Sequence, residues 1–290
     1  MIQNIRNLAN EIVATSKYVA INNDAINKFT PPEINRKQKV TTIDFRDPTT
    51  KLNIYRTLFD CAIQFCFWYG TANIRPNNAS SSTVTKIVND YLIYTTKWPP
   101  PESRFDIQQM ISQLKKSGMT MIPERVAIWQ NIVECELHPT AIYHTHPIIS
   151  ALKKKTVEET IECLVTHYTC FCGDMFLKRA FLFCRVLDSM YPNLFTDKQN
   201  MIVPADYQIP KVLYSLDILN YNDELTTDIA NDVIIPKHSR KEVEIRANTI
   251  IAIDKLRDKT GLSVSELDDY LFNMRNQFTT KHHLTYTTDY

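Results

Sequence analysis

The sequence predicts a mainly α-helical protein with at most a small β element, folded as a single domain over residues 1–290. Apolar residues recur at helical spacing in three stretches, Ile2–Phe29, Thr156–Asp188 and Ala205–Arg257. No internal repeat is apparent, and no linker is long enough to force a division into two domains. We therefore expect one helical core.

The chain before Ala205 contains helix patterns of different kinds. Ile2–Phe29 begins with one apolar face, which is typical of an amphipathic helix. Leu58–Trp68 is apolar almost all round, which indicates a buried helix. Further helices are predicted over Ile107–Gly118 and over Met119–Leu137, and the mostly apolar Thr156–Asp188 predicts one or two core helices.

The stretch Ala205–Arg257 predicts a helical hairpin. Pro210 suits the first turn of the first helix, because the N–H that proline lacks would be unpaired there. Leu213, Leu216 and Leu219 continue this helix at the expected spacing.

The second helix of the hairpin has a start signal and a stop signal. Ser239 and Glu242 form a capping box, in which the hydroxyl and the carboxylate each satisfy a free backbone donor. Gly261 is suited to the left-handed residue that ends a helix.

Composition excludes several classes of function. The 33 lysines and arginines nearly cancel the 32 aspartates and glutamates, so no global positive field attracts nucleic acid. Only four glycines occur, and neither Gly-rich phosphate-binding pattern is present, which argues against kinase or dehydrogenase chemistry. The polar N-terminus and the seven irregularly spaced cysteines predict a cytoplasmic protein with reduced thiols and no membrane segment.

Two groups of His and Cys residues could bind a metal ion or have ordinary structural roles. His144 and His146 stand in an HxHP pattern that resembles the zinc loop of the JAMM metalloproteases, but the Asp which that family needs downstream is missing. Cys163, His167, Cys170 and Cys172 form a second group that could bring three soft ligands together at helical spacing. Cys170 and Cys172 are two residues apart, however, which on a helix points them to different sides, and buried cysteines commonly act as small hydrophobes. We expect no metal and no cofactor.

From the residues alone, Asp206 has two interpretations. A carboxylate just ahead of a helix usually caps it, and a fixed carboxylate can also serve catalysis. The aromatic side chains of Phe65 and Trp68 are similarly open between core packing and stacking against a flat heterocycle.

Several segments resemble the queuosine salvage protein family. They are ADYQIPKVL from Ala205, LxYxDEL from Leu219, EVEIRAxTIxAI from Glu242, Ser16–Ala20, Phe176–Ala180 and the tail with Asp268, Tyr270, Leu271 and His283. The resemblance covers nearly the whole chain and is weakest between Asn73 and Thr156. It implies a helical architecture shared with DNA glycosylases, and hydrolysis of queuosine 5′-monophosphate to queuine, a 7-deazaguanine base, and ribose 5-phosphate.

The resemblance also implies roles for individual residues. Asp206 falls at the catalytic aspartate of the family, and Lys178 is expected to pair with Asp206 or with the 5′-phosphate of the substrate. Carboxylates are expected to meet the cationic arm of queuine, with Asp268 and Asp223 as candidates. The predicted substrate-binding residues are Phe65, Trp68, Phe105, Tyr207, Glu244, Arg246, Asp268 and His283.

Two other functions stay open at this point. The first alternative is a glycosylase that acts on a different modified nucleotide, and the second is a non-catalytic relative that binds one. The divergent middle region keeps the substrate open. In each case the expected partner is a small modified nucleotide, with no direct binding of nucleic acid. The oligomeric state is not predicted.

Overall fold

The computed structural model describes residues 1–31, 43–68, 79–93, 107–137 and 146–290. Within these ranges the regular structure consists of thirteen α-helices and one two-stranded sheet, which confirms the predicted mainly α fold with a small β element. In chain order the elements are α1 (Ile2–Ala14), β1 (Val19–Ile21), α2 (Asn23–Lys28), α3 (Pro48–Ala62), α4 (Ser81–Ile93), α5 (Ile107–Lys116), α6 (Ile122–Leu137), α7 (Pro147–Lys153), α8 (Val157–His167), α9 (Lys178–Met190), α10 (Gln208–Ser215), β2 (Leu219–Tyr221), α11 (Asp223–Ala230), α12 (Arg240–Thr260) and α13 (Val264–Met274).

Contacts group the chain into two compact units. The first contains Met1–Val40, Asp197–Thr288 and Tyr290, and the second contains Thr41–Thr196 and Asp289. The single domain over residues 1–290 stays a prediction. Among the described residues, no helix is both long enough and apolar enough to cross a membrane.

The first unit is built around α12. Every residue from Glu244 to Ile253 is buried, so this helix has neighbours on all sides instead of one apolar stripe. Helices α1, α2, α10 and α13 and strand β1 pack around it.

Both ends of α12 lie where the sequence predicts them. The hydroxyl of Ser239 accepts the amide hydrogen of Glu242, and Gly261 takes the left-handed conformation with φ of 69°. The second half of the predicted capping box differs, because the Glu242 carboxylate accepts from the amide of His238 instead of from Ser239. Glu242 can therefore also point its other oxygen into the core.

The predicted helix over Ile2–Phe29 is wrong beyond Ala14. The chain leaves α1, forms β1 and then the short helix α2. The reason is a long-range interaction that no local pattern reveals. The buried carboxylate of Glu244 accepts from the amides of Lys17, Tyr18 and Val19, at distances from 2.7 to 3.3 Å.

The predicted helical hairpin over Ala205–Arg257 is wrong, because β2 and α11 lie between α10 and α12, and its first helix is shorter than predicted. Helix α10 ends at Ser215, Asp217 takes a left-handed φ of 60°, and Leu219 belongs to β2. Strand β2 pairs antiparallel with β1, with Ile21 opposite Leu219. Pairing with a segment almost 200 residues earlier in the sequence overrides the local helical spacing.

In the second unit, α3 packs against α4, α6 and α9, and the buried helix predicted over Leu58–Trp68 ends early. Helix α3 stops at Ala62, and Cys66 adopts a left-handed φ of 43°. Residues 63–68 are nevertheless almost all buried, as predicted. The buried guanidinium of Arg125 binds the carbonyl groups of Ile63, Phe65 and Cys66, which replaces the bonds of a continued helix.

The remaining helix predictions are confirmed with small shifts. Helix α5 covers most of the predicted Ile107–Gly118, and α6 begins at Ile122, so Pro123 lies in its first turn. The apolar region Thr156–Asp188 forms two helices, α8 and α9, with the side chain of Thr156 capping α8.

Glu244 should be a strong contributor to the stability of the first unit. We expect Glu244→Gln to lower the free energy of unfolding by about 3 kcal/mol, because a neutral amide cannot accept this many hydrogen bonds and leaves buried amides unpaired. Chemical denaturation measures the change. The control is Glu224→Gln, which removes a carboxylate that is 60% exposed in its ion pair with Lys241 and should change stability by less than about 0.5 kcal/mol. Equal effects of the two substitutions would contradict this role.

Candidate active site

The segment Ala205–Tyr207 joins an extended stretch to α10 and carries Asp206. Oδ1 of Asp206 accepts from the amide of Gln208 at 2.6 Å and from the amide of Ile209 at 3.4 Å. The capping interpretation of Asp206 is thus confirmed. One carboxylate oxygen is held by two amides at the start of a helix, where the helix dipole also favours negative charge.

The backbone next to Asp206 is held from the other side by Arg246. Nε of this side chain donates to the carbonyl oxygen of Ala205 at 3.0 Å, and the guanidinium is fully buried. Arg246 is the seventh residue of α12, so the central helix of the unit fixes the peptide that precedes Asp206.

The charge of Arg246 is balanced within the core. Nη1 of Arg246 lies 3.2 Å from Oε1 of Glu242, one helical turn earlier, and both side chains are 1% exposed. The ring of Tyr290 lies against the guanidinium, with its centroid 4.5 Å away, and its hydroxyl donates to the same Oε1 at 3.0 Å. Burial, and next the Glu242 carboxylate, raise the pKa of Tyr290 well above its usual value.

His283 extends this network. Its Nε2 lies 3.4 Å from the hydroxyl oxygen of Tyr290, whose hydrogen is used toward Glu242, so Nε2 must carry a hydrogen and donate. Burial, followed by the neighbouring His282 and Arg246, lowers the pKa of His283 to about 3. The imidazole is therefore neutral at physiological pH.

Tyr207, which follows Asp206 in the sequence, contacts His282, the residue before His283. The rings of Tyr207 and His282 are in tilted contact, with centroids 4.4 Å apart and an angle of 34° between their planes. Nδ1 of His282 donates to the carbonyl of His283 at 2.7 Å. The predicted site residues Asp206, Tyr207, Arg246 and His283 are thus connected within the first unit.

Other predicted residues of the first unit have different surroundings. Glu244 is 1% exposed and accepts from three amides and from Arg240, so its described contacts are structural. Asp268 is buried on α13, while Asp223 is exposed at the first position of α11. Their predicted contacts with a substrate stay predictions.

Lys178 belongs to the second unit and opens α9. Leu177, just before it, has a left-handed φ of 50°, which is a strained conformation for a leucine. The Asp174 carboxylate stabilises this turn by accepting from the amides of Phe176 at 3.1 Å and Lys178 at 2.7 Å. Nζ of Lys178 donates to the carbonyl of Gln64 at 3.4 Å, and the side chain is buried.

The aromatic residues predicted to contact the base lie in the same unit. Phe65 is 1% exposed, with the guanidinium of Arg125 at 4.1 Å from its ring centroid and that of Arg179 at 5.4 Å. Trp68 is buried to the same degree. The core-packing interpretation therefore describes both, and stacking on a base stays a prediction. Phe105 lies outside the described residues.

The metal alternatives gain no support from the described residues. Within those ranges, no group of three or more His, Cys, Asp or Glu side chains is placed to hold a metal ion. His144 lies outside the described residues, and His146 precedes α7 with its ring near Tyr55. Cys170 is partly buried, and burial raises the pKa of its thiol to about 12.

A family model described as queuosine salvage protein matches residues 58–288. The match spans well over half of the sequence, and the chain therefore belongs to the queuosine salvage protein family. This confirms the family that the sequence motifs indicate.

Three curated relatives share the name queuosine 5′-phosphate N-glycosylase/hydrolase. The protein from Dictyostelium discoideum is 38% identical over 87 residues, which cover 29% of this chain and 27% of that protein. The protein from Sphaerobacter thermophilus is 40% identical over 76 residues, covering 26% and 24%, and that from Mus musculus is 31% identical over 74 residues, covering 26% and 22%. These alignments span about a quarter of the length of each relative.

Sequence reasoning missed His282 and Tyr290 and treated Glu242 mainly as a cap. The spacing of Glu242 and Arg246 by four residues on a helix does signal an ion pair. No spacing signals the contacts of Tyr290 and His282, because they join segments more than 40 residues apart in the sequence.

The buried neutral His283 predicts acid sensitivity. Its folded pKa of about 3 lies below the usual 6.5, so the unfolded chain binds one more proton between these values and stability falls as pH falls through this window. From pH 7.5 to pH 5 the loss is about 2 kcal/mol. Urea denaturation at both pH values should show that His283→Gln removes this part of the loss. His167→Gln, at an exposed position of α8, is the control and should leave the pH dependence unchanged.

Proposed function

We propose that this protein hydrolyses the N-glycosidic bond of queuosine 5′-monophosphate and releases queuine and ribose 5-phosphate. The observation that carries the proposal is the fixed carboxylate of Asp206, in a chain whose family includes proteins named queuosine 5′-phosphate N-glycosylase/hydrolase. The assignment makes the protein an N-glycosyl hydrolase with a small-molecule substrate. It requires neither metal nor cofactor.

The chemical step breaks the bond between C1′ of the ribose and N9 of the base. The electron pair leaves with N9, and positive charge develops on C1′ and the ring oxygen. An anion that is already in place beside C1′ stabilises this charge. Because the charge is absent from the ground state, its stabilisation lowers the barrier. Asp206 suits this task because two amides hold it before the reaction begins.

Water completes the reaction. Its oxygen attacks C1′, and the carboxylate of Asp206 orients it and accepts its proton. The leaving base gains one proton at nitrogen, which balances the proton lost by water. Because a 7-deazaguanine has no nitrogen at position 7 to protonate, stabilisation of the sugar cation should contribute more than activation of the base.

Release of the base is the direct test of the substrate. Purified protein is incubated separately with queuosine 5′-monophosphate, with the unphosphorylated nucleoside and with GMP, and free base is measured by chromatography. The proposal expects release from the first, weaker release from the second and none from GMP. Release from none of the three would contradict the proposal and favour a non-catalytic relative, and release from GMP would indicate a different specificity.

Asp206→Asn separates catalysis from capping. Asparagine caps helices as well as aspartate does, so we expect stability to stay within about 0.5 kcal/mol. The loss of the negative charge should lower kcat by at least about 10²-fold. Steady-state kinetics and thermal denaturation measure the two effects.

Asp47→Asn is the matched control for this variant. Asp47 caps α3 by accepting from the amides of Thr49 and Thr50, the same positions relative to the aspartate as at Asp206. Its replacement should leave kcat unchanged. Near-normal turnover of Asp206→Asn would show that Asp206 is only a cap.

Lys178→Met tests the assignment of Lys178 to the 5′-phosphate. A charge-assisted hydrogen bond is worth about 1.5–3 kcal/mol, so the KM for the nucleotide should rise about tenfold or more while the nucleoside reacts as before. Lys154→Met, at a lysine of the same unit that is 59% exposed, is the control. An equal fall in kcat for both substrates, with KM unchanged, would contradict the assignment of Lys178 to the 5′-phosphate.

A further inference from the structure

Four side chains form a continuous path of hydrogen bonds that ends beside Asp206. The imidazole of His283 donates to the hydroxyl of Tyr290, and that hydroxyl donates to the carboxylate of Glu242. The same carboxylate accepts a hydrogen bond from the guanidinium of Arg246. Arg246 then donates through Nε to the carbonyl oxygen of Ala205. Every side chain of the path is at most 2% exposed, so water does not compete for these bonds.

The path fixes Arg246 in two ways. The hydroxyl of Tyr290 shares Oε1 of Glu242 with Arg246 and so sets the position of that oxygen, and the ring of Tyr290 lies against the guanidinium. The other oxygen of Glu242 is tied to the amide of His238 at 3.1 Å. Because the guanidinium is planar, fixing its contacts with Glu242 and Tyr290 also aims its Nε.

Arg246 in turn fixes the peptide that joins Ala205 to Asp206. The carbonyl of Ala205 lies in the same plane as the amide nitrogen of Asp206, so holding that oxygen restrains rotation of the Asp206 backbone. The amides of Gln208 and Ile209 restrain the Asp206 side chain at its other end. A catalytic group must be held within about 0.5 Å of its productive position.

We propose that Tyr290 is a positioning residue which, through Glu242 and Arg246, sets the orientation of the Asp206 carboxylate. The proposal rests on the hydrolase function proposed above. Tyr290 itself does not touch the reacting atoms. It acts on the rate of the chemical step and leaves the binding of substrate nearly unchanged.

The test compares Tyr290→Phe with wild-type protein in base release from queuosine 5′-monophosphate. The variant keeps the ring against Arg246 and removes only the hydroxyl. We expect kcat to fall about tenfold, with KM changed by less than about twofold, in protein that remains folded by circular dichroism. Tyr221→Phe is the control, because it removes a tyrosine hydroxyl of the same unit that lies 3.5 Å from the carbonyl of Pro210.

A double-mutant cycle distinguishes positioning from a general loss of stability. If Tyr290 acts through the Asp206 carboxylate, Tyr290→Phe should have almost no further effect on the residual single-turnover rate of Asp206→Asn. A full tenfold effect in that background would overturn the proposal. An unchanged kcat of the folded single variant would overturn it as well.

Two further outcomes are separable. If wild-type protein releases no base from any substrate, the proposed function fails. This outcome is seen before any variant is measured, so it is distinct from failure of the proposal for Tyr290. If Tyr290→Phe does not fold, Arg246→Lys tests the same path, because lysine keeps the charge and loses the fork that reaches Glu242 and Ala205 together. A folded Arg246→Lys protein with wild-type kcat would overturn the proposal.

Discussion

The guanidinium of Arg246 and the carboxylate of Glu242 meet in the interior of the first unit, where neither can be solvated. Removing one partner of such a pair leaves a buried charge uncompensated and costs about 3–5 kcal/mol. The surrounding groups are arranged to satisfy this pair: Tyr290 and the amide of His238 donate to the carboxylate, and the carbonyl of Ala205 accepts from the guanidinium. The hydrogen bond to Ala205 ties the peptide that precedes Asp206 to this pair.

Helix α12 uses neighbouring turns for two purposes. Glu242 and Arg246 organise the backbone beside Asp206, whereas Glu244 and Asn248 bind the segment between α1 and β1. Residues two positions apart on a helix point in different directions, so one short acidic segment serves both sides of the helix. In their described contacts Glu242, Glu244 and Arg246 thus act as a scaffold, and the proposed chemistry is assigned to Asp206 on the adjoining segment.

Local signals in the sequence predicted what depends on neighbouring residues. Ser239 and Gly261 mark the ends of α12, and Asp206 was identified as a possible cap because capping acts over two or three residues. The failures share one physical cause, which is interaction between distant segments. Glu244 ends the N-terminal helix pattern by binding amides more than 220 residues away, Arg125 replaces helical bonds after Ala62, and β1 draws Leu219 into a strand. The contacts of Tyr290 with Glu242 are hidden from sequence for the same reason.

The central claim is that a fixed carboxylate stabilises a sugar cation as the bond to the base breaks. The most direct measurement is the secondary hydrogen isotope effect on kcat/KM for queuosine 5′-monophosphate deuterated at C1′. Loss of bonding at C1′ in the transition state predicts a normal effect, in which the unlabelled substrate reacts faster. No isotope effect under single-turnover conditions where bond cleavage limits the rate would contradict the account.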